Sequence, residues 1–478
     1  MALAQRPATP GQQQRAADVV REEVGVSSLE SLNMLRPNEL IREIKRLYTL
    51  AEKAGGSSIP AMLIIGPPGV GKSTAVREAA MQIASESGKV FVDLLDTSQR
   101  KALIEALEKG EPPDKYFVFL DLRLTEVEPS DLIGIPRVTV VGGREVVDYA
   151  PLEWAYILSR VPGILFLDEI TNVRRNDVLA AAYKLMLDKA AGFTRFNRRT
   201  LVIAAGNPPT EYGLARPLPE PIINRSMVIY AEPPKIEEWI RWMADQILTL
   251  PEGVKEELMR TLTITSTFLT IYPTLFNNPN IPRDPNVMEN MPTPRSWSFF
   301  IFTTPYSKLE GLAKKGASAV AQYLSSFVGR EAASRFATLF KVKIDPLEKL
   351  LQNPSTVDSY NLEQMLALAV AITDNIAYRA TAARTPEEKI ETTYQALKQL
   401  EPLLTKIALR RGQTGAATIA GTELIQYVHT VLGNMLGAPY QQAVTKIAIE
   451  TRGREPPWLT AIRAGKMVAA RKPVSEEL

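Results

Sequence analysis

The spacing of apolar positions divides the chain into a front part, where short apolar runs alternate with helical patterns, and a rear part where only helical spacing persists. Residues 1–35, rich in Gln, Ala, Arg and Pro, read as a flexible N-terminal segment. In "RPNELIREIKRLYTLAEKAG" the residues Leu40, Ile41, Ile44, Leu47 and Leu50 then fall on one face of a helix closed by Gly55 and Gly56. Five runs read as strands: 62–65, 116–124, 163–168, 200–205 and 226–230. They are short and almost wholly apolar, as strands covered on both faces must be, and the helical patterns between them imply parallel crossovers. The expected fold is a three-layer αβα sandwich on a parallel five-stranded sheet. "KVFVDLLD" (89–96) competes for the second strand position. The later run is preferred because it leads into the helix-like "EPSDLIGIP", which leaves 89–115 as an insertion. "RVTVVGGREVVDYAP" (137–151) alternates β-branched residues around Gly142 and Gly143, a hairpin interrupting the second crossover. The β pattern ends at "AEPP" (231–234). Helices follow, one of them opening at Thr385 with Pro386 at N1 and Glu388 at N3, the spacing of a capping box. The expected division is an αβα domain over 36–233, a helical lid over 234–341 and a further helical domain over 342–478 that ends in a basic tail.

Composition narrows the chemistry. With 478 residues and 45% apolar content the chain can bury large cores. Its net charge of +3 gives no global field for nucleic acid or anionic lipid. Only 452–473, with six basic side chains against one acidic, departs from that balance, as a phosphate-binding arm or a solvated tail. The absence of cysteine removes disulfides, thiol catalysis and thiolate metal sites. The single histidine, His429, sits at helical spacing among apolar residues, and without a second imidazole a His-rich zinc site is excluded. No apolar run reaches the length of a membrane span, and the N-terminus lacks a signal-type apolar segment, so a soluble, cytoplasmic protein without membrane insertion is expected.

"GPPGVGKST" (66–74) carries the most specific signal. Gly66, Gly71, Lys72 and Ser73 match G-x-x-x-x-G-K-[ST] between an apolar strand and a helical pattern. The whole loop, Gly66, Pro67, Pro68, Gly69, Val70, Gly71, Lys72, Ser73 and Thr74, is the candidate phosphate cradle. Its glycines let N–H groups converge on phosphate oxygens, and the following helix turns its positive end to the same anion. Lys72 is expected to reach the β and γ phosphates and the Ser73 hydroxyl to ligate magnesium. "GILFLDEI" supplies Asp168 as a second magnesium partner and Glu169 to polarise the attacking water, although an acidic pair at a strand end is also ordinary loop chemistry. "IAAGNPP" puts Asn207 at a strand end where a γ-phosphate would lie, or where a turn begins before Pro208. Arg225, just before the last strand, lies far from its own loop in a doubly wound sheet. It is placed to reach a neighbouring subunit's nucleotide, or it is a surface cation. Arg295, in "TPRSW", starts a lid helix from which it could fold back onto the phosphates, or it simply flanks that helix. No N-K-x-D guanine reader occurs, which prefers ATP to GTP.

Taken in this order, these segments resemble the AAA+ ATPases and, within them, the MoxR family. "FLDLRLTEVEPSDLIGIP" is similar to the family's second-strand segment, and "GNPPTEYGLARPLPEPIINR" to its sensor 1 through arginine-finger block. The likeness covers 36 to about 305. It implies Walker A roles for Gly66, Gly71, Lys72 and Ser73 and Walker B roles for Asp168 and Glu169. It further implies sensor 1 at Asn207, an arginine finger at Arg225 and sensor 2 at Arg295. The hairpin at 137–151 stands where the clade carries a helix-2 insertion that faces the ring pore. "TNVRRND" after the acidic pair and the short "GFTRFNRRT" depart from the family pattern. The resemblance further implies a hexameric ring that uses ATP and Mg2+ to remodel a client protein, often one with a von Willebrand factor A-type domain. A nucleic-acid motor and a nucleotide-gated scaffold are the competing readings.

Overall fold

The computed structural model describes residues 34–55, 59–208, 215–278, 287–410, 420–451 and 453–468. Most of the N-terminal segment, Gly56 and much of the basic tail lie outside them. The chain divides into two compact units, Met1–Pro233 and Pro234–Leu478.

The first unit contains β1 (Met34–Leu35), α1 (Pro37–Lys53), β2 (Ala61–Ile65), α2 (Lys72–Glu86), β3 (Val90–Asp93), α3 (Thr97–Glu108) and β4 (Tyr116–Arg123). It continues with α4 (Ser130–Ile133), β5 (Ile135–Val141), β6 (Arg144–Ala150), α5 (Glu153–Arg160), β7 (Gly163–Asp168) and α6 (Asn176–Asp188). Then come β8 (Ala190–Ala191), β9 (Thr194–Arg195), β10 (Leu201–Gly206), α7 (Glu220–Ile223) and β11 (Ser226–Ala231). One parallel sheet runs β1-β11-β2-β10-β7-β4-β3.

Alternation within the strands sorts their side chains onto two cores. Leu63, Val118, Leu120, Leu165, Leu167, Val202 and Ala204 face one layer. Met62, Ile64, Phe117, Phe119, Ile164, Phe166, Ile203 and Ala205 face the other, where Val76, Ala79, Ala80 and Ile83 of α2 meet Leu40, Ile44 and Leu47 of α1. Because both faces are covered, the strands read as unbroken apolar runs. Each fully buried Leu, Ile or Phe contributes about 1.5–3 kcal/mol through burial.

The sheet has seven strands, not five. Val90–Asp93, expected within an insertion, pairs in parallel with β4 from Val90↔Tyr116 to Asp93↔Phe119 and forms one edge of the sheet. The segment 90–108 is therefore a complete strand and helix, with Asp96 capping α3 by accepting from the N–H groups of Ser98 and Gln99. Met34–Leu35 adds the opposite edge beside β11. Two further details differ from the sequence expectation. Leu50 lies off the buried face of α1 and is 46% exposed, its place near the end of the helix being taken by the buried Ala51. The hairpin is found at 135–150, its strands in register through Val138↔Val147, with Gly142 and Gly143 at φ +59° and +79°. Two successive positive φ values are what a tight two-residue hairpin turn demands.

The second unit is helical: α8 (Ile236–Leu248), α9 (Glu252–Ile271), α10 (Pro294–Thr303), α11 (Tyr306–Lys315), α12 (Ala317–Val328), α13 (Arg330–Ala337), α14 (Leu347–Gln352), α15 (Leu362–Ala382), α16 (Pro386–Leu409), α17 (Gly421–Leu436), α18 (Ala438–Glu450) and α19 (Pro457–Val468). One contiguous apolar core runs from Trp239 to Ile462, so its packing passes through residue 341 without a break. The capping box at α16 forms: the Thr385 hydroxyl accepts from the Glu388 N–H, and the Glu388 carboxylate accepts from the Thr385 N–H. His429 packs on α17, its Nδ1 3.0 Å from the Tyr440 hydroxyl. Among the described residues no helix is long and apolar enough to cross a membrane.

Candidate active site

The carboxyl ends of β2, β10, β7 and β4 stand side by side, and the polar residues of the chain's front part collect there. The loop after β2 turns into α2 through Gly69 at φ +81° and Gly71 at φ +96°, values that L side chains rarely adopt. Gly66 is needed for space: a Cβ there would come within 2.7 Å of the Ala231 carbonyl oxygen. Gly71 offers no side chain to cap α2, which leaves the N–H groups of the first turn to a ligand.

Lys72 is 9% exposed, and its ammonium donates to the carbonyls of Gly66 (2.7 Å) and Pro67 (2.9 Å) and to Asn207 Oδ1 (3.2 Å). Ser73 Oγ donates to Asp168 Oδ2 at 2.8 Å. Loop, β7 and β10 are thus joined by hydrogen bonds across three strands. Asn207 is held from behind, its N–H donating to Thr171 Oγ1 at 2.8 Å. Thr171 also fills the space over Gly206, where a Cβ would lie 2.5 Å from its methyl carbon.

Glu169 follows Asp168 in a left-handed conformation at φ 62°, ψ 29°, unusual for a residue with a Cβ. The turn swings its carboxylate away from the strand, where Thr125 Oγ1 donates to Glu169 Oε2 at 3.0 Å. Backbone strain of this kind, of order 1–3 kcal/mol, persists where the surroundings enforce it.

Arg225 is not brought to this edge. Ser226 pairs with Ala61 while Tyr230 pairs with Ile65, so Arg225 precedes the amino end of β11, about 20 Å along the strands from the loop. Among the described residues its exposed side chain has no hydrogen-bond or ion-pair partner. Arg295 is exposed in the first turn of α10, which is capped by Thr293.

Residues 62–228 match the family described as "ATPase family associated with various cellular activities (AAA)". The first unit carries an AAA ATPase domain. Three of the solved structures similar to the chain are as follows. One is a putative ATPase from Cytophaga hutchinsonii ATCC 33406, with 14% identity over 80% of this chain and 88% of that one and a TM-score of 0.22. Another is the ORC2 protein of Aeropyrum pernix in ADPNP and ADP complexes, with 12% identity over 83% and 94% and a TM-score of 0.28. The third is AMPPCP-bound DnaA from Aquifex aeolicus, with 13% identity over 75% and 88% and a TM-score of 0.21. No curated protein matches the chain.

Three residues of the AAA domain were missed by sequence reasoning: Thr125, Thr171 and Asp121. The first two are ordinary threonines until the strands are placed beside one another. Asp121 offered one signal, a carboxylate that interrupts the apolar run of β4 where its buried part ends. Its Oδ1 is buried without a hydrogen-bond partner among the described residues. Burial, and then the nearby Asp168, push its carboxyl up to about 6. Arg175 pairs with Glu128 and Asp177.

The donor set suits magnesium. Ser73 and Asp168 offer hard oxygen ligands, and an unsatisfied carboxylate oxygen lies on the neighbouring strand. Magnesium keeps several waters and takes only one or two protein ligands, so it does not need the three-residue cage that is absent among the described residues.

Proposed function

We propose that the chain is a magnesium-dependent ATPase of MoxR type, which assembles as a ring, hexameric in this reading, to remodel a client protein. The observation that carries this reading is the hydrogen-bonded set of Lys72, Ser73, Asp168 and Asn207 at one end of the sheet, with an unpaired Arg225 at the other. A site with its finger about 20 Å away along its own strands is completed by a neighbour, and a ring supplies that neighbour at every site.

In this assignment the loop 66–74 wraps the phosphates of ATP. Lys72 exchanges its carbonyl partners for the β and γ phosphate oxygens, and Ser73 and Asp168 hold the cation. Bound magnesium supplies neutralisation of the charge on the transferring phosphoryl group. Glu169, released from Thr125, accepts the proton of the attacking water, and Asn207 orients that water. Arg225 of one subunit meets the developing charge at the next, an effect worth about 10³–10⁵ in rate in enzymes that use such a finger. Arg295 acts as sensor 2.

The lid role falls to 234–341. Because its core is continuous with that of 342–478, both parts of the helical unit would move as one packed body. Assignment to MoxR rests on the segments after β4 and β10 and on a hairpin inserted between β4 and β7, which we assign to client contact. A client carrying a von Willebrand factor A-type domain follows from that likeness.

The test is complementation. Rings of Lys72→Ala subunits and rings of Arg225→Ala subunits should each be inactive, and mixing them should restore phosphate release, because a mixed interface joins an intact loop to an intact finger. Two inactive pools that stay inactive after mixing would exclude the shared site.

A further inference from the structure

We propose that Asp121 is an outer carboxylate of the cation site, accepting a hydrogen bond from a hydration water of the magnesium held by Ser73 and Asp168. The inference rests on the ATPase reading above and adds to it a residue that neither the loop motif nor the acidic pair includes.

Three strands place three aspartates on one face of the sheet. Asp93 pairs with Phe119, Asp121 with Phe166, and Arg123 with Asp168. Paired residues of a parallel sheet share a face, as do residues two apart on one strand. Asp93, Asp121 and Asp168 therefore rise diagonally across β3, β4 and β7, one pleat higher on each strand. Phe119 and Phe166 show which face this is, the one covered by α2.

The covering helix satisfies the two ends of this stair and leaves the middle open. Ser73 Oγ donates to Asp168 Oδ2 at 2.8 Å, and Arg77, one turn further along α2, pairs through Nη1 with Asp93 Oδ2 at 2.6 Å. Asp93 is further engaged by the N–H of Leu95. Asp121, between them, has a buried oxygen without a hydrogen-bond partner among the described residues. A helix repeats its direction every three to four residues, so Ser73 and Arg77 lie on one side of α2, each turned to an aspartate of the stair.

An unsatisfied carboxylate oxygen between two aspartates destabilises the fold. Asparagine would fit the same space without the charge. A carboxylate next to a magnesium ligand gains its partner when the cation brings its water shell, and outer-shell groups of this kind fix the first-shell ligands.

The experiment compares the full-length parent with Asp121→Asn, following a fluorescent ATP analogue through a Mg2+ titration and recording metal-free melting curves. The half-saturating Mg2+ concentration should rise about tenfold in the variant, the size typical of a lost outer-shell partner. Affinity for the analogue in EDTA should not change, and the metal-free variant should melt above the parent. An unchanged Mg2+ midpoint overturns the proposal. So does a metal-free melting temperature at or below the parent's, the sign of a carboxylate with a structural partner. Should Asp121→Asn fail to fold, Asp121→Ala is read by the same two measurements. A parent that binds the analogue without any Mg2+ dependence defeats the ATPase reading itself, and this inference with it. A responsive parent with an identical variant defeats this inference alone.

Discussion

The two units of the chain bury polar groups for opposite ends. In the helical unit several are closed on one another, although Ser266 Oγ, Asn375 Oδ1 and Trp458 Nε1 are buried without a partner among the described residues. Arg260 pairs with Asp374 at 2.8 Å and lies 3.6 Å from the centre of the Tyr306 ring and 5.2 Å from that of Tyr378. The threonines of α9 return their hydroxyls to carbonyls four residues back, Thr263 to Met259, Thr265 to Thr261 and Thr267 to Thr263. In the AAA domain the corresponding groups crowd one edge of the sheet with their needs partly unmet. Glu169 is in a strained turn and Asp121 lacks a partner for one oxygen among the described residues. A polar group satisfied inside the fold stabilises it, whereas one left poised at a strand end is available to a ligand. Chemistry and stability can therefore be separated at particular residues of this molecule.

Substitutions can break that contrast, and the largest effect is expected at Glu169. Glu169→Gln should lower phosphate release by about 10²–10⁴, the usual contribution of a positioned general base, while nucleotide affinity and melting temperature hold. Equal turnover in the two proteins would remove Glu169 from the reaction. In the helical unit the opposite outcome is expected. Arg260→Leu leaves Asp374 without its partner and should cost about 2 kcal/mol, below the 3–5 typical of fully buried pairs because this one is partly exposed. Urea midpoints would show it, with nucleotide affinity unmoved; a loss of affinity instead would tie the helical unit to the site.

A smaller effect concerns pH. Asp121 is raised from an ordinary value near 3.8 to about 6, first by burial and then by Asp168, with Asp93 adding and Arg123 and Arg77 opposing. The folded state therefore holds this proton more tightly than the unfolded chain. The stability it contributes is fully present below pH 4 and lost as pH rises through 6. After discount for partial exposure the effect is about 1 kcal/mol. Metal-free melting curves of the parent should show that loss and those of Asp121→Asn should lack it; parallel curves would contradict the shift. Smallest is Thr385→Ala, which removes the cap of α16 and should cost about 1 kcal/mol or less in stability, read by urea unfolding with turnover unaltered.

The residues legible in the sequence were those whose role is written in local spacing. The loop 66–74 needs glycines at set intervals because its backbone must turn through φ +81° and +96°, and no tertiary contact can relax that demand. Five strands were visible because burial on both faces forces unbroken apolar runs, and α16 because its cap lies within four residues. Val90–Asp93 was misjudged because an edge strand needs only one partner and four residues, too little pattern to outweigh the longer run after it.

The backbone of the phosphate loop, the layered fold and the acidic pair can be read along the chain, since each follows from spacing within a few residues. Which strands are neighbours emerges from the folded sheet alone. That order places Asn207 against Lys72, Thr125 against Glu169 and Asp121 between two satisfied aspartates, and it sets Arg225 at the far end of the sheet. These relations join residues dozens of positions apart through strand order and register, which burial and hydrogen bonding settle over the whole sheet and no local stretch of sequence encodes.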